Sequence, residues 1–330
     1  MLAVQAQDPR GARLAIRART RGLTAADVDN ALSERSLLIT WLNRGTLHLV
    51  RSEDYPWLQA LTTPPLLNAN ARRLSQEGVT PAAAERGVTI VERALAADGP
   101  LTRGVLRERL DAAGVQTQGQ ALVHVLMLAS LRGIVVRGPM VGREQAYVLV
   151  PDWLGATAPI DRDRALAELA RRYLAGHAPA CDRDLAKWAG LPLRDARAGL
   201  EAIAPELNQR ADGLVEPKKR RQVAPVPPPR LLGAYDPLLL GWASRAPLLG
   251  SYENRVTVGG LFRPFALVRG RAAAIWSIRA GEVVLEPFGR LRREDAAALD
   301  ADADAVLRYL TMRPRPSPAA RSARRGASPG

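Results

Sequence analysis

The chain has 330 residues, 47% of them apolar, a single cysteine and a formal net charge of +14. That length can hold several small domains with their own cores. The lone Cys181 excludes an internal disulfide framework and a thiolate metal cluster. No apolar run of about 18 residues appears, so no membrane span is expected, and Gln5, Gln7 and Asp8 interrupt any leader-like start. Lysine occurs only at 187, 218 and 219, so the basic surplus is carried by arginine. A GC-rich genome explains arginine over lysine but not basic over acidic. The surplus points to a polyanion, nucleic acid foremost, met in a bacterial cytoplasm at the nucleoid.

In chain order, "VQAQDPRGA" places Gln5 and Gln7 either side of Ala6 and ahead of an Asp-Pro turn. "LTAADVDNAL" predicts a short helix capped by Thr24. "SLLITWLNRGTLHLV" predicts a hairpin about Asn43-Arg44-Gly45, and "SEDYPWLQAL" a helix capped by Ser52. Helices followed by a two-stranded wing are the winged-helix pattern, here residues 1–75.

The pattern returns at 76–158, where helical apolar spacing leads through "QGQALVHVLMLASLRG" into the hairpin "IVVRGPMVGREQAYVLV". Residues 159–222 make a third pass, "RDRALAELARRYLAGH", "CDRDLAKWAGL" and "PLRDARAGLEAI", with Gly190-Leu191-Pro192 as a tight interhelical turn. "EPKKRRQVAPVPPPR" is a basic, then proline-rich linker. A β-rich unit at 223–312 follows, with turns at Arg269-Gly270 and Ala280-Gly281 and a closing helix. The tail 313–330 lacks acids and is expected to be disordered and dispensable for folding. The fold class expected is therefore α+β: three tandem winged helix-turn-helix units and a β-rich C-terminal domain.

Few residues suggest chemistry. There is no phosphate-binding glycine loop, and no metal or other cofactor is expected. His48, His124 and His177 lie far apart in sequence; His124 reads as a core or interface residue and His48 as wing packing with a possible cleft role. Cys181 has no base nearby. "DADADA" from Asp300 lacks the glycine and closing glutamate of a calcium loop and reads as a solvated helix face. Arg44, His48 and the run Lys218, Lys219, Arg220 and Arg221 are candidates for DNA contact. Gln5 and Gln7, at spacing two in an extended segment, share a face while Ala6 turns inward, and Pro9 favours that extension at Asp8. Two amides can donate to and accept from one water but cannot deprotonate it. From residue chemistry alone, a polar turn is the simpler reading.

"VQAQDPRGA", "WLNRGTLHLV", "ALVHVLMLASLRGIVVRGP", "LAKWAGLPLRDARAGL", "AYDPLLLGW" and "GGLFRPFALVRGRAAAIW", in this order over residues 3–311, resemble the AlkZ-like winged-helix DNA glycosylases. That family includes bacterial enzymes that protect antibiotic producers from their own DNA-alkylating products. The resemblance implies three winged helices and a β-rich domain around a DNA channel. It also implies a catalytic signature of Gln, an apolar residue, then Gln or Asp, which maps onto Gln5, Ala6 and Gln7. Family members carry a few tens of residues before this pair, so a first unit truncated at its N-terminus, or a misplaced start, is expected. The activity implied is monofunctional hydrolysis of the N-glycosidic bond of bulky N7-alkylguanine adducts or interstrand crosslinks in duplex DNA, by a monomer. The alternative is a winged-helix DNA-binding protein or transcriptional regulator without catalysis. A member inactivated by truncation is a third possibility.

Overall fold

A computed structural model describes residues 1–142, 144–156, 160–219 and 226–312. Arg220, Arg221 and the 313–330 tail lie outside the described residues. The centre is an antiparallel sheet of β1 (Ala3–Gln5), β2 (Leu37–Leu42), β3 (Thr46–Arg51), β4 (Val135–Val141) and β5 (Glu144–Leu149), ordered β1-β3-β2-β4-β5. Two hairpins far apart in sequence thus share one sheet, joined where Ile39 of β2 pairs with Arg137 of β4.

Alternation along β2 explains why both faces are covered. Leu38 and Leu42 enter a core with Leu58 and Val136 and with Leu166, Tyr173, Leu185 and Trp188 of the 162–202 region. Ile39 faces the other way, packing with Val4, Ala6, Ala12, Val28 and Leu32. Trp41 joins a separate core built by helices Pro81–Asp98, Arg103–Ala112 and Ala121–Leu131 with Tyr147 of β5.

Local signals set the helix ends. Thr24 caps Ala25–Ser33 with a reciprocal box to Asp27. Gly190 ends Asp182–Ala189 at φ 70°, which frees the chain to turn into Leu193–Ala202. Ser52 does not cap. It begins a 3-10 turn, Ser52–Asp54, and its hydroxyl donates to Arg35 O at 2.5 Å, so helix Tyr55–Thr62 starts later than its polar lead-in suggests.

Strands β6 (Leu207–Gln209) and β7 (Val215–Pro217) pair briefly, as do β9 (Thr257–Val258) and β10 (Leu261–Phe262). β8 (Arg230–Leu232), β11 (Phe265–Val268), β12 (Arg271–Arg279) and β13 (Glu282–Pro287) form a sheet ordered β13-β12-β11-β8. Helix Arg293–Thr311 closes a core of Leu231, Trp276, Leu299, Val306 and Tyr309, to which Leu14 of helix Pro9–Arg17 also belongs. That first helix crosses the segment after β8 at two glycines: a Cβ on Gly233 would sit 2.7 Å from Gly11 Cα. The chain's first helix therefore docks onto the segment after β8 and the closing helix. No helix among the described residues is long and apolar enough to cross a membrane.

Candidate active site

Three segments converge on the glutamine pair. β1 delivers Gln5 opposite His48 of β3, and the chain leaves the sheet at Gln7. Asp8, extended at φ −106°, caps helix Pro9–Arg17 by accepting from Gly11 N. Ala6 is buried, so Gln5 and Gln7 fall together on the opposite side, and Gln5 Nε2 donates to Gln7 Oε1. Gln5 is 6% exposed whereas Gln7 is open to solvent. The pair is thus half rooted and half presented.

The β2–β3 turn supplies the second segment. Asn43 takes φ 47° and Gly45 φ 79°, which puts Arg44 at the hairpin tip. Arg44 Nη2 donates to Gln5 Oε1 at 3.3 Å. Its Nη1 donates to Trp188 O, and to Lys187 O at 3.3 Å. Those carbonyls end helix Asp182–Ala189, whose negative dipole end suits a guanidinium. The fit is close: a Cβ on Gly190 would stand 2.9 Å from Arg44 N. Burial, and then the Arg245 guanidinium, hold Arg44 below the usual arginine range. Both carboxamides of the pair therefore have one carbonyl lone pair engaged and, since a carbonyl oxygen has two, one free.

His48 packs beneath. Its Nδ1 lies 2.9 Å from Thr46 O, so that nitrogen carries the proton of the neutral ring. Burial and then Arg44 push it down to about 3, against the opposing hydrogen bond, leaving the ring uncharged at neutral pH. His48 thus touches the site as a neutral support and offers no cation to DNA.

The third segment follows β8. Tyr235, at φ 57°, sets its ring 5.4 Å from that of Phe262 in a tilted contact, and its hydroxyl is pushed up by burial and then by Asp8. Asp236, fully buried, pairs with Arg19 at 2.7 and 2.9 Å and caps Pro237–Leu240. Lys187 Nζ donates to Ala243 O at 2.9 Å. This lysine stands a single residue from the Trp188 carbonyl that anchors Arg44. Its ammonium group is tethered to that main-chain oxygen rather than aimed at the amides.

The remaining candidates lie elsewhere. Lys218 and Lys219 are exposed after β7 and line a cavity with Arg171 and Glu206. His124 is half-buried, with Nδ1 2.7 Å from Asn70 Oδ1. Asp302 of the "DADADA" run is no solvated residue: Arg17 Nη2 donates to its Oδ1 at 2.6 Å and Leu231 N to its Oδ2 at 2.8 Å. No group of His, Cys, Asp and Glu that could hold a metal occurs among the described residues.

A family model described as "DNA glycosylase AlkZ-like" matches residues 1–309. A Streptomyces sahachiroi protein named "Interstrand DNA cross-link repair glycosylase" is 29% identical over 328 residues, covering 92% of this chain and 87% of that one. The solved structure of Streptomyces sahachiroi DNA glycosylase AlkZ superposes with a TM-score of 0.76 at 26% identity, over 94% of this chain and 90% of that one. With a family match over nearly its whole length, the chain belongs to the AlkZ-like DNA glycosylases.

Proposed function

We propose that this glycosylase hydrolyses the N-glycosidic bond of bulky N7-alkylguanine in duplex DNA, including guanines held in interstrand crosslinks, and that Gln5 and Gln7 position the water. The observation that carries this is the direct contact of the two amides, each with a carbonyl lone pair to spare. A water donating to both oxygens turns its own lone pair toward the anomeric carbon. Alkylation at N7 makes guanine cationic, so the C1′–N9 bond breaks with its electron pair passing to the base, which leaves neutral. Water oxygen bonds to C1′ and its surplus proton passes to solvent. Two uncharged amides suffice because the substrate brings its own activation, and their carbonyl dipoles favour the positive charge that develops on the sugar.

Monofunctional chemistry accords with Lys187, whose ammonium group is occupied by Ala243 O. A base tied to both strands cannot swing into a closed pocket as ordinary flipping requires. Gln7, open to solvent at a strand end, suits a substrate approached from outside. The scaffold would be three winged-helix units, at 1–75, 76–158 and 159–222, the first two sharing a sheet, and a β-rich domain at 223–312. It would act as a monomer on chromosomal DNA in the cytoplasm, with Arg44 near the duplex.

Single-turnover release of 7-alkylguanine tests the pair. Gln5→Ala or Gln7→Ala should slow the chemical step by on the order of 10²–10³-fold, with duplex affinity unchanged. The double variant should cost little more than either single one. Failure of the wild-type chain to release base from any adducted or crosslinked duplex tested would return the pair to a polar turn, and the chain to a DNA-binding protein.

A further inference from the structure

A second basic feature begins two residues beyond Gln7. A cavity of about 450 Å³ opens between the start of helix Pro9–Arg17, helix Arg103–Ala112 and the β4–β5 hairpin, with Pro9 in its wall. Arg103, Arg107 and Arg137 line it against one carboxylate, Glu144, which is exposed at the strand end. Arg13 also lines it but is neutralised, since it donates to Asp29 and, at 2.8 Å, to Pro9 O. Arg103 and Arg107 make no hydrogen bond or ion pair among the described residues.

Inside, polar atoms are unsatisfied. Arg137 Nε and Gln145 Nε2 are buried without a hydrogen-bond partner and both residues line this one cavity, with the Tyr147 hydroxyl, which interacts with Arg137, beside them. Buried donors normally find partners, and leaving one unpaired is costly. Nor is Arg137 loosely placed. Its guanidinium lies 4.8 Å from the Trp41 ring centre and 5.1 Å from that of Tyr147, a sandwich that fixes its plane. A bulge after Arg137 breaks the β4–β5 register, and such bulges re-aim side chains.

A basic hollow whose unused buried atoms are donors is built for an oxyanion with several acceptor oxygens. The geometry points to a phosphate site: the cavity takes a backbone phosphate of DNA beside the nucleotide presented to Gln5 and Gln7. The inference rests on the DNA reading above and adds a register to it. Pro9 belongs to the wall, so a phosphate held there fixes the strand within a few residues of the catalytic pair.

Duplex affinity measured across a salt series provides the test, with wild type, Arg107→Gln and Gln145→Leu. Each phosphate neutralised contributes about −0.9 to the slope of log affinity against log salt. Arg107→Gln should flatten the slope by about that much and weaken binding by roughly ten-fold at low salt. Gln145→Leu should weaken binding yet keep or raise the melting temperature, because it removes an unsatisfied buried donor. A group serving only the fold would do the reverse. Variants that match wild type in affinity and slope overturn the site, whereas a wild type with salt-independent binding overturns the DNA reading itself. Inorganic phosphate supplies the last arm. If it raises the melting temperature of wild type but not of Arg107→Gln, while duplex binding is alike in both, the site takes free phosphate and the backbone assignment fails.

Discussion

Arg44 joins Gln5 to a helix end contributed by a different part of the chain: Nη2 donates to the Gln5 side-chain carbonyl at 3.3 Å while Nη1 donates to the carbonyl of Trp188. A terminal amide has a broad, two-fold torsion and is not oriented by its own rotamer. The guanidinium selects the orientation with oxygen inward, which leaves Nε2 to engage Gln7. The helix behind it holds the guanidinium in turn.

Arg44→Met should therefore slow single-turnover base release by on the order of 10²-fold, the scale of a misplaced reacting group. Arg44→Lys should recover little, because one ammonium cannot span both carbonyl sites. If Arg44 served only DNA affinity, the loss would vanish at saturating enzyme.

Acid should destabilise the fold through two histidines. His48 is pushed down to about 3 and His177 to about 4, burial being the main cause in both. An unfolded histidine titrates near 6.5, so between these values the unfolded chain binds protons that the folded chain refuses. Stability is full above about pH 6.5 and falls as pH drops toward 4, by up to about 1.4 kcal/mol per pH unit for each histidine. Urea titrations at pH 7, 6 and 5 would measure the slope, and His48→Gln should make it shallower. Base release should show no limb near pH 6.5 from His48; one that disappears in His48→Gln would contradict its role as a neutral support.

Gly190→Ala should cost roughly 2–4 kcal/mol, from a non-glycine residue in the left-handed region and a methyl forced against the hairpin backbone. The obstructing atoms are Arg44 N, at 2.9 Å, and Asn43 C, at 3.1 Å, so they cannot swing aside like a side-chain end. Base release should fall along with the unfolding midpoint. A variant that unfolds earlier but retains the full rate would uncouple the turn from the amides.

Arg19→Met leaves Asp236 fully buried with its counter-charge gone. Stranding one partner of such a pair costs about 3–5 kcal/mol, here toward the lower end because Arg19 is partly solvated. Adding Asp236→Asn removes the charge and keeps a capping oxygen, so the double variant should regain much of the loss. Thermal unfolding of the four chains completes the cycle.

Local chemistry was readable in the residues wherever a turn or cap needs a particular side chain. Asn43-Arg44-Gly45, Arg269-Gly270 and Ala280-Gly281 each mark a hairpin, and φ is positive at Asn43, Gly45, Arg269, Gly270, Ala280 and Gly281. Thr24 announced its place as an N-cap for the same reason, though not the reciprocal bond from Asp27. The joining of β2 to β4 was not legible, because the strands meet at one pair, Ile39 and Arg137, and both runs look like ordinary hairpin arms. Nor was the role of Arg44 visible. Its spacing suggested a wing tip for DNA, while the carbonyls it meets lie 143 and 144 positions away. Asp302 misled for a similar reason: helical periodicity gives a face, not what the face packs against.

The docking of the first helix on the closing helix bears on when the enzyme becomes complete during synthesis. Tyr309 donates to Arg13 O at 2.8 Å and Asp302 accepts from Arg17, contacts that span 296 and 285 positions. The helix that immediately follows Gln7 therefore waits for nearly the whole polypeptide to leave the ribosome before it has its partners. Long closures of this kind form late and slowly. Interrupted translation would leave fragments whose first helix lacks these partners, so the segment next to Gln7 is held on both sides only once the chain is finished.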